Sequence, residues 1–402
     1  MRTLLFTVIY ATMATAVFFA PAETRAADDS WHLTTSTPFV NIPTPEGERW
    51  DEFVSHWKKR ESDKEVDKAL QVVEEIAAEN DDTLTTLWLC RATYMKGMRL
   101  RGEEQKKVMR DAAGTCERIT GDKEYGHYAK YWRWSSMIYY HEFTDADYKE
   151  IRAFGRQYEH IRELPVPDHD SLWQKAINHW DDRYTYEEGI KAIGIFQQLE
   201  KKYPNRIEPK LWLLRANYWM HYAEDEEDKK AEWLFKAANW GWKACEMEPR
   251  NPAANYLTAS ALGQYGSNTS FLNYIRYAPE ITKRLMTVLE EDPNYFYGGV
   301  SQYFALAIAR AGTILEKMLD LIGFEKEFIK KTTIFAANYE PRYLRNWYAL
   351  GEMYLVQDKK DEAKKMLEKV VNGDPTALKN MEAENRVAQK LAKDLLEEHF
   401  GE

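Results

Sequence analysis

The chain has 402 residues, 44% of them hydrophobic and only 14 of them proline, so it is long and apolar enough to bury a large core and is not a disordered polymer. Its formal net charge of −10 argues against a nucleic-acid-binding protein, which needs a basic footprint, and against adsorption to anionic lipid. Its 14 tryptophans and 25 tyrosines are many for this length; helical repeats use large rings to fill the space between hairpins, and an excess could also line a cavity.

The chain begins with Arg2, an apolar run from Leu4 to Ala20, Pro21, and then small residues, with Thr24 and Ala26 placed to suit a signal-peptidase cut. This predicts a signal peptide over 1–26 and export to the periplasm. The alternative is an uncleaved anchor, because the run approaches the ~18 residues that span a bilayer. Residues 27–46, rich in Thr, Pro and Asp, read as an extended lead-in that is poorly ordered or laid across the surface. The cysteines are Cys90, Cys116 and Cys245. An oxidising compartment permits a disulfide: Cys90 and Cys116 could sit on neighbouring helices and pair, or all three could be buried thiols. No CxxC or Cys/His cluster points to metal or thiol redox chemistry.

The front half then repeats itself. His56-Trp57 and Arg60 return as His179-Trp180 and Arg183, and Lys68-Ala69 as Lys191-Ala192, all offset by 123. Leu87-Trp88-Leu89-Cys90-Arg91-Ala92-Thr93-Tyr94 returns at an offset of 124 as Leu211-Trp212-Leu213-Leu214-Arg215-Ala216-Asn217-Tyr218, and Cys116-Glu117 as Cys245-Glu246. Order is kept and the offset drifts only as loops lengthen, which marks a duplication over about 50–142 and 173–265, joined by a linker at 163–171. Within the second copy, helices are expected at about 171–183, 187–202, 208–223, 229–247 and 252–264, with Pro204 and Pro249 between hairpins.

The third portion opens with GQYGSNTSF, whose Gly, Ser and Asn predict a loop. Helices follow near 275–290 and 325–338. Over 344–377 the chain carries Trp347, Leu350, Gly351, Tyr354, Ala363, Leu367, Val370 and Pro375, the pattern of a complete tetratricopeptide (TPR) unit. Trp347, Leu350, Gly351 and Tyr354 fall on one helix face, and Gly351 and Ala363 are small where two antiparallel helices must approach. A final helix, apolar at Met381, Val387, Leu391 and Leu395, reads as the polar-faced cap of a solenoid. The fold class expected is all-α, a TPR-like α-solenoid of antiparallel helix pairs running as one domain over 47–402.

Three stretches of the C-terminal half carry a family likeness: Pro252-Ala253-Ala254-Asn255-Tyr256 through Leu262-Gly263, Asp292-Pro293-Asn294-Tyr295-Phe296-Tyr297-Gly298-Gly299, and Gly373-Asp374-Pro375 through Glu384-Asn385-Arg386 to Ala392. Over about 229–400 the chain resembles the TatT-like T component of TPR-associated TRAP transporters. That resemblance implies a periplasmic helper working beside a solute-binding protein, homo-oligomers (trimers in particular), and a cavity for an apolar ligand. Many relatives carry a lipid-anchoring cysteine just after the signal peptide, whereas the first cysteine here is Cys90.

No catalytic motif occurs: H-E-x-x-H, G-x-S-x-G and the phosphate-binding loop are all missing from the sequence. His179, Asp181 and Asp182 resemble an acid–base cluster, but His56 repeats His179 with Lys58 and Lys59 in place of the aspartates, so packing explains the histidine. Glu384 and Asn385 read as a local structural network, and Arg91 and Arg215 as arginines stacked on rings. The candidate ligand- or partner-binding residues are Tyr295, Phe296, Tyr297, Gly298 and Gly299. Adjacent glycines permit positive φ or close approach, and three successive aromatics cannot all face one core. The expected function is non-catalytic, with no cofactor: an accessory subunit of a TRAP-type uptake system, docking a solute-binding protein and holding a hydrophobic small molecule. The alternative is a general envelope scaffold or assembly factor with no ligand of its own.

Overall fold

The apolar spacing of the sequence becomes helix at nearly every step. A computed structural model describes residues 33–35, 37–157, 163–311 and 326–401; the signal peptide expected at 1–26 lies outside them. Among the described residues there are seventeen α-helices, one short 3-10 turn and no β-strand, and most helices that follow one another within a compact unit pack as antiparallel pairs. The chain is all-α, with the helix-pair arrangement of a TPR-like solenoid. None of its described helices is long and apolar enough to cross a membrane.

The helices fall into two compact units: Ser36–Glu163 joins Asp292–Glu402 in one, and Leu164–Glu291 with Leu33–Thr35 forms the other. The first, discontinuous unit begins with α1 (Glu48–Trp57), α2 (Asp63–Glu79), α3 (Thr83–Met98), α4 (Gly102–Glu117), α5 (Gly126–Met137) and α6 (Asp145–Arg156). The inserted unit contains α7 (Ser171–Asp181), α8 (Tyr186–Lys202), α9 (Glu208–Ala223), α10 (Glu227–Met247), α11 (Pro252–Thr269) and α12 (Phe271–Glu291). The chain then returns to the first unit as α13 (Tyr295–Ala311), α14 (Lys326–Tyr339), α15 (Leu344–Val356), α16 (Lys360–Val371) and α17 (Glu382–Phe400).

Some helix starts carry side-chain caps. Asp82 accepts from the Thr85 amide at 2.7 Å to start α3, Thr144 and Asp147 form a reciprocal capping box on α6, and Asn251 caps α11 ahead of Pro252. In the discontinuous unit α14 packs on α6, and Phe335 joins a core of Ala113, Trp134, Met137, Ile138 and Ile151. The TPR hairpin is α15–α16. A Cβ added at Gly351 would lie 2.7 Å from the Leu367 side chain, so glycine there leaves room for Leu367 between the two helices.

The two repeats share side-chain contacts as well as helices. His56 pairs with Glu65 at 2.6 Å in one unit and His179 with Glu188 in the other. Arg60 and Arg183 each donate to the carbonyl of the preceding Trp57 and Trp180. Trp88 donates to the Pro43 carbonyl at 2.8 Å, and Trp212 to that of Pro165 at 2.9 Å. These last bonds extend the correspondence upstream to Ile42-Pro43-Thr44-Pro45-Glu46 and Leu164-Pro165-Val166-Pro167-Asp168, with Ile42 and Leu164 both fully buried.

The lead-in therefore does more than lie across the surface. Phe39, Val40 and Ile42 are buried; Phe39 stacks on Tyr131 at 4.5 Å and accepts a bond from Trp132 through its carbonyl. The GQYGSNTSF stretch also differs from the expected loop, because α11 continues through it to Thr269. Ser267 and Thr269 each bond the carbonyl four residues back, and Gly266 sits against the backbone of Tyr274, so their turn propensity is spent inside the helix.

Cys90 and Cys116 form a disulfide between α3 and α4, with Cα atoms 5.4 Å apart, and Cys245 is a buried free thiol. In the second repeat Leu214 stands where Cys90 stands in the first, so Cys245 has lost the partner that Cys116 keeps. Thiol titration of the denatured, unreduced protein is expected to count the Cys245 thiol alone, and a count of all three would overturn the pairing. Cys90→Ser is expected to lower stability by about 2–4 kcal/mol, read as a lower urea midpoint.

Candidate functional site

The residues of the aromatic–glycine stretch begin the second pass of the chain through the discontinuous unit, and the backbone there is unusual. Phe296 (φ 53°, ψ 45°), Tyr297 (φ 57°, ψ 40°) and Gly298 (φ 78°, ψ 33°) are all left-handed, one after another. For non-glycine residues this conformation costs roughly 1–2 kcal/mol each. Gly298 is required twice over: its φ is positive, and a Cβ there would collide with that of Ala336. Gly299 is buried within α13 without positive φ.

Six polar contacts hold the turn and its surroundings. The Asn346 amide donates to the Tyr297 carbonyl at 2.7 Å and accepts from Gln302 at 3.0 Å. Tyr295 is buried, and its hydroxyl donates to the Glu163 carbonyl at 3.1 Å. Upstream, the Asp292 carboxylate accepts from the Tyr131 hydroxyl, which itself accepts from the Asn294 amide at 3.2 Å. The Asn294 side chain reaches Ser135 at 3.3 Å. The turn is thereby tied to α5 as well as to α15.

The left-handed path separates the three aromatics. Tyr295 turns into the core, while Phe296 and Tyr297 remain partly exposed and pack on Tyr343, Leu378 and Met381. Ring centroids lie 5.9 Å apart for Phe296–Tyr343 and 5.0 Å for Tyr297–Tyr343. Burial, reinforced by the carboxylates of Glu163, Glu340 and Glu384, pushes the Tyr297 phenol far above its ordinary value against the pull of Arg342. Tyr297 therefore stays a neutral phenol beside two other rings. Glu340 is itself held by Arg342 through bonds of 2.8 and 2.7 Å. The arrangement offers stacking faces and a phenol.

Asn385 accepts from the Leu344 amide at 2.9 Å and donates to the carbonyls of Arg342 and Pro375, fixing the start of α15. Arg91 lies 3.9 Å over the Trp132 ring and Arg215 5.0 Å over Trp180, both buried among aromatics. His179 is held by Glu188, as His56 is by Glu65. Among the described residues, no three His, Cys, Asp or Glu side chains are grouped to hold a metal ion. Tyr343 and Asn346 are the site residues that motif reading passes over. The signal for Asn346 is an amide on a helix face whose neighbours Trp347 and Leu350 are core positions, since a buried amide must have partners. The chain matches no protein-family model, and no curated protein matches it in sequence.

Burial pushes Asp292 up from 3.8 to about 6, against the hydrogen bond from Tyr131. The folded chain thus holds this proton more tightly than the unfolded one, so the carboxyl costs nothing below pH 4 and opposes folding increasingly as pH climbs to 6. Asp292→Asn keeps an acceptor for Tyr131 without the charge. Its stability relative to wild type is expected to improve by up to about 3 kcal/mol between pH 4 and pH 7, measured by urea unfolding at both pH values; a constant difference would refute the assignment.

Proposed function

We propose that the chain is a non-catalytic periplasmic accessory subunit of a TRAP-type uptake system, which docks a solute-binding protein and holds an apolar or amphipathic ligand at the Phe296–Tyr297–Tyr343 cluster. The observation that carries the ligand reading is the run of three left-handed residues. A chain rarely keeps two non-glycine residues in that conformation unless the surroundings over-determine it, and such sites concentrate where ligands bind. Here the run keeps Phe296 and Tyr297 partly exposed beside Tyr343. The Cys90–Cys116 disulfide supports export to an oxidising compartment. The helix-pair fold supports a binding role, and the resemblance at Asp292–Gly299 and in the terminal helix supports the transporter context.

Native mass spectrometry of gently purified protein is expected to show an adduct of a small apolar molecule, and a Phe296→Ala/Tyr297→Ala variant to retain at least tenfold less of it with unchanged helical circular dichroism. A clean ligand-free mass, unaltered by added fatty or aromatic acids, would sink the ligand reading. Recovery of a solute-binding protein by the tagged chain from native periplasm is the matching test of the partner.

A further inference from the structure

The duplication supplies an internal control for the surface. Residues 61, 63 and 67 correspond to 184, 186 and 190 at the offset of 123 that also relates the matching His–Glu and Arg–Trp contacts. In the first repeat these positions are Glu61, Asp63 and Asp67, all exposed carboxylates. In the second they are Tyr184, Tyr186 and Ile190, exposed by 61%, 37% and 38%. The same hairpin therefore folds with three acids there, so the apolar side chains are not required for packing.

These residues lie where α7 turns into α8, and Glu224, just past the end of α9, holds Tyr186 in place. The Tyr186 hydroxyl donates to Glu224 at 3.2 Å, and the Trp233 indole donates to the same carboxylate at 3.3 Å. Trp233 again stands where the first repeat has a charge, Glu104, when the two helices are aligned on Cys116 and Cys245. The patch is flanked in sequence by exposed carboxylates: Asp181, Asp182 and Glu187 at the α7–α8 turn, and Asp225, Glu226 and Asp228 at the start of α10.

We propose that this face of the inserted unit is a docking site for a protein segment in which Lys or Arg residues flank an aromatic or aliphatic anchor. Rigid, half-exposed Tyr and Trp are the side chains that dominate protein interfaces, and the acidic surround selects a cationic partner and steers its approach. A lipid surface does not fit, because six exposed carboxylates repel anionic headgroups. The site is separate from the aromatic turn and needs no ligand there.

A random peptide library selected on the purified chain tests it, with the Tyr184→Glu/Tyr186→Asp/Ile190→Asp variant as counter-target. That variant carries the first repeat's own residues at these positions. Enriched peptides are expected to place Lys or Arg around an apolar residue and to bind the variant at least tenfold more weakly, although it is more acidic than wild type. Equal or tighter binding to the variant would mean attraction by charge alone and would overturn the proposal, as would enrichment of no such sequences. Concentration-dependent self-association in sedimentation, lost in the variant, would assign the face to a second copy of the chain and likewise overturn it.

Discussion

A buried indole usually finds an acceptor for its N–H, and in this chain three of them find it in the same kind of place. Trp88 donates to Pro43, Trp212 to Pro165 and Trp347 to Pro341, in each case to the carbonyl of a proline outside the helices. A helix cannot offer such an acceptor from its interior, since its carbonyls are already paired. Proline ends helices and fixes an extended path, so the flanking segments are pinned against the hairpin that follows them. In the first repeat that pinning draws Phe39, Val40 and Ile42 into the core. What composition presents as a lead-in and a linker are parts of the repeat.

Around this shared frame the two copies have diverged by substitution at single positions. With Cys90, the first repeat ties α3 to α4 covalently. Leu214 in the second leaves Cys245 to a different neighbourhood, where Arg284 donates to its sulfur at 2.8 Å and to Asn255 at 3.2 Å, and is itself held by Glu280. Burial raises the Cys245 thiol, which keeps it protonated beside the arginine. Gly241 in α10 marks the same economy of space: a Cβ there would collide with the Thr258 side chain, which packs directly on the α10 backbone.

Helix positions were legible in the sequence because the spacing of apolar residues is a local property: the five expected in the second repeat differ from α7–α11 mainly at their ends. The helical hairpin α15–α16 was legible down to Gly351, since the pattern encodes one close approach. What escaped was non-local or context-dependent. GQYGSNTSF has turn-forming residues, but hydrogen bonds from Ser267 and Thr269 back into the helix, with Gly266 packed tightly, override that propensity. The Cys90–Cys116 pairing depends on a helix-pair geometry that spacing permits without requiring. The division into units places the third portion with the first repeat, and no local pattern carries information about an insertion.

The aromatic–glycine stretch shows the same limit at finer scale. Its residue types announce that three rings cannot share one core, yet not how the backbone resolves the conflict. A right-handed continuation would place Tyr295, Phe296 and Tyr297 about 100° apart around one axis. The left-handed turn instead buries Tyr295 and leaves the next two beside Tyr343. Two non-glycine residues there cost roughly 2–4 kcal/mol together. The bonds from Asn346 to the Tyr297 carbonyl and from Tyr295 to Glu163, each worth about 1 kcal/mol, offset about 2 kcal/mol of it. The rest comes from packing distributed over α14, α15 and the Leu378–Met381 segment. The turn is therefore imposed by the assembled unit and is not a preference of its own sequence.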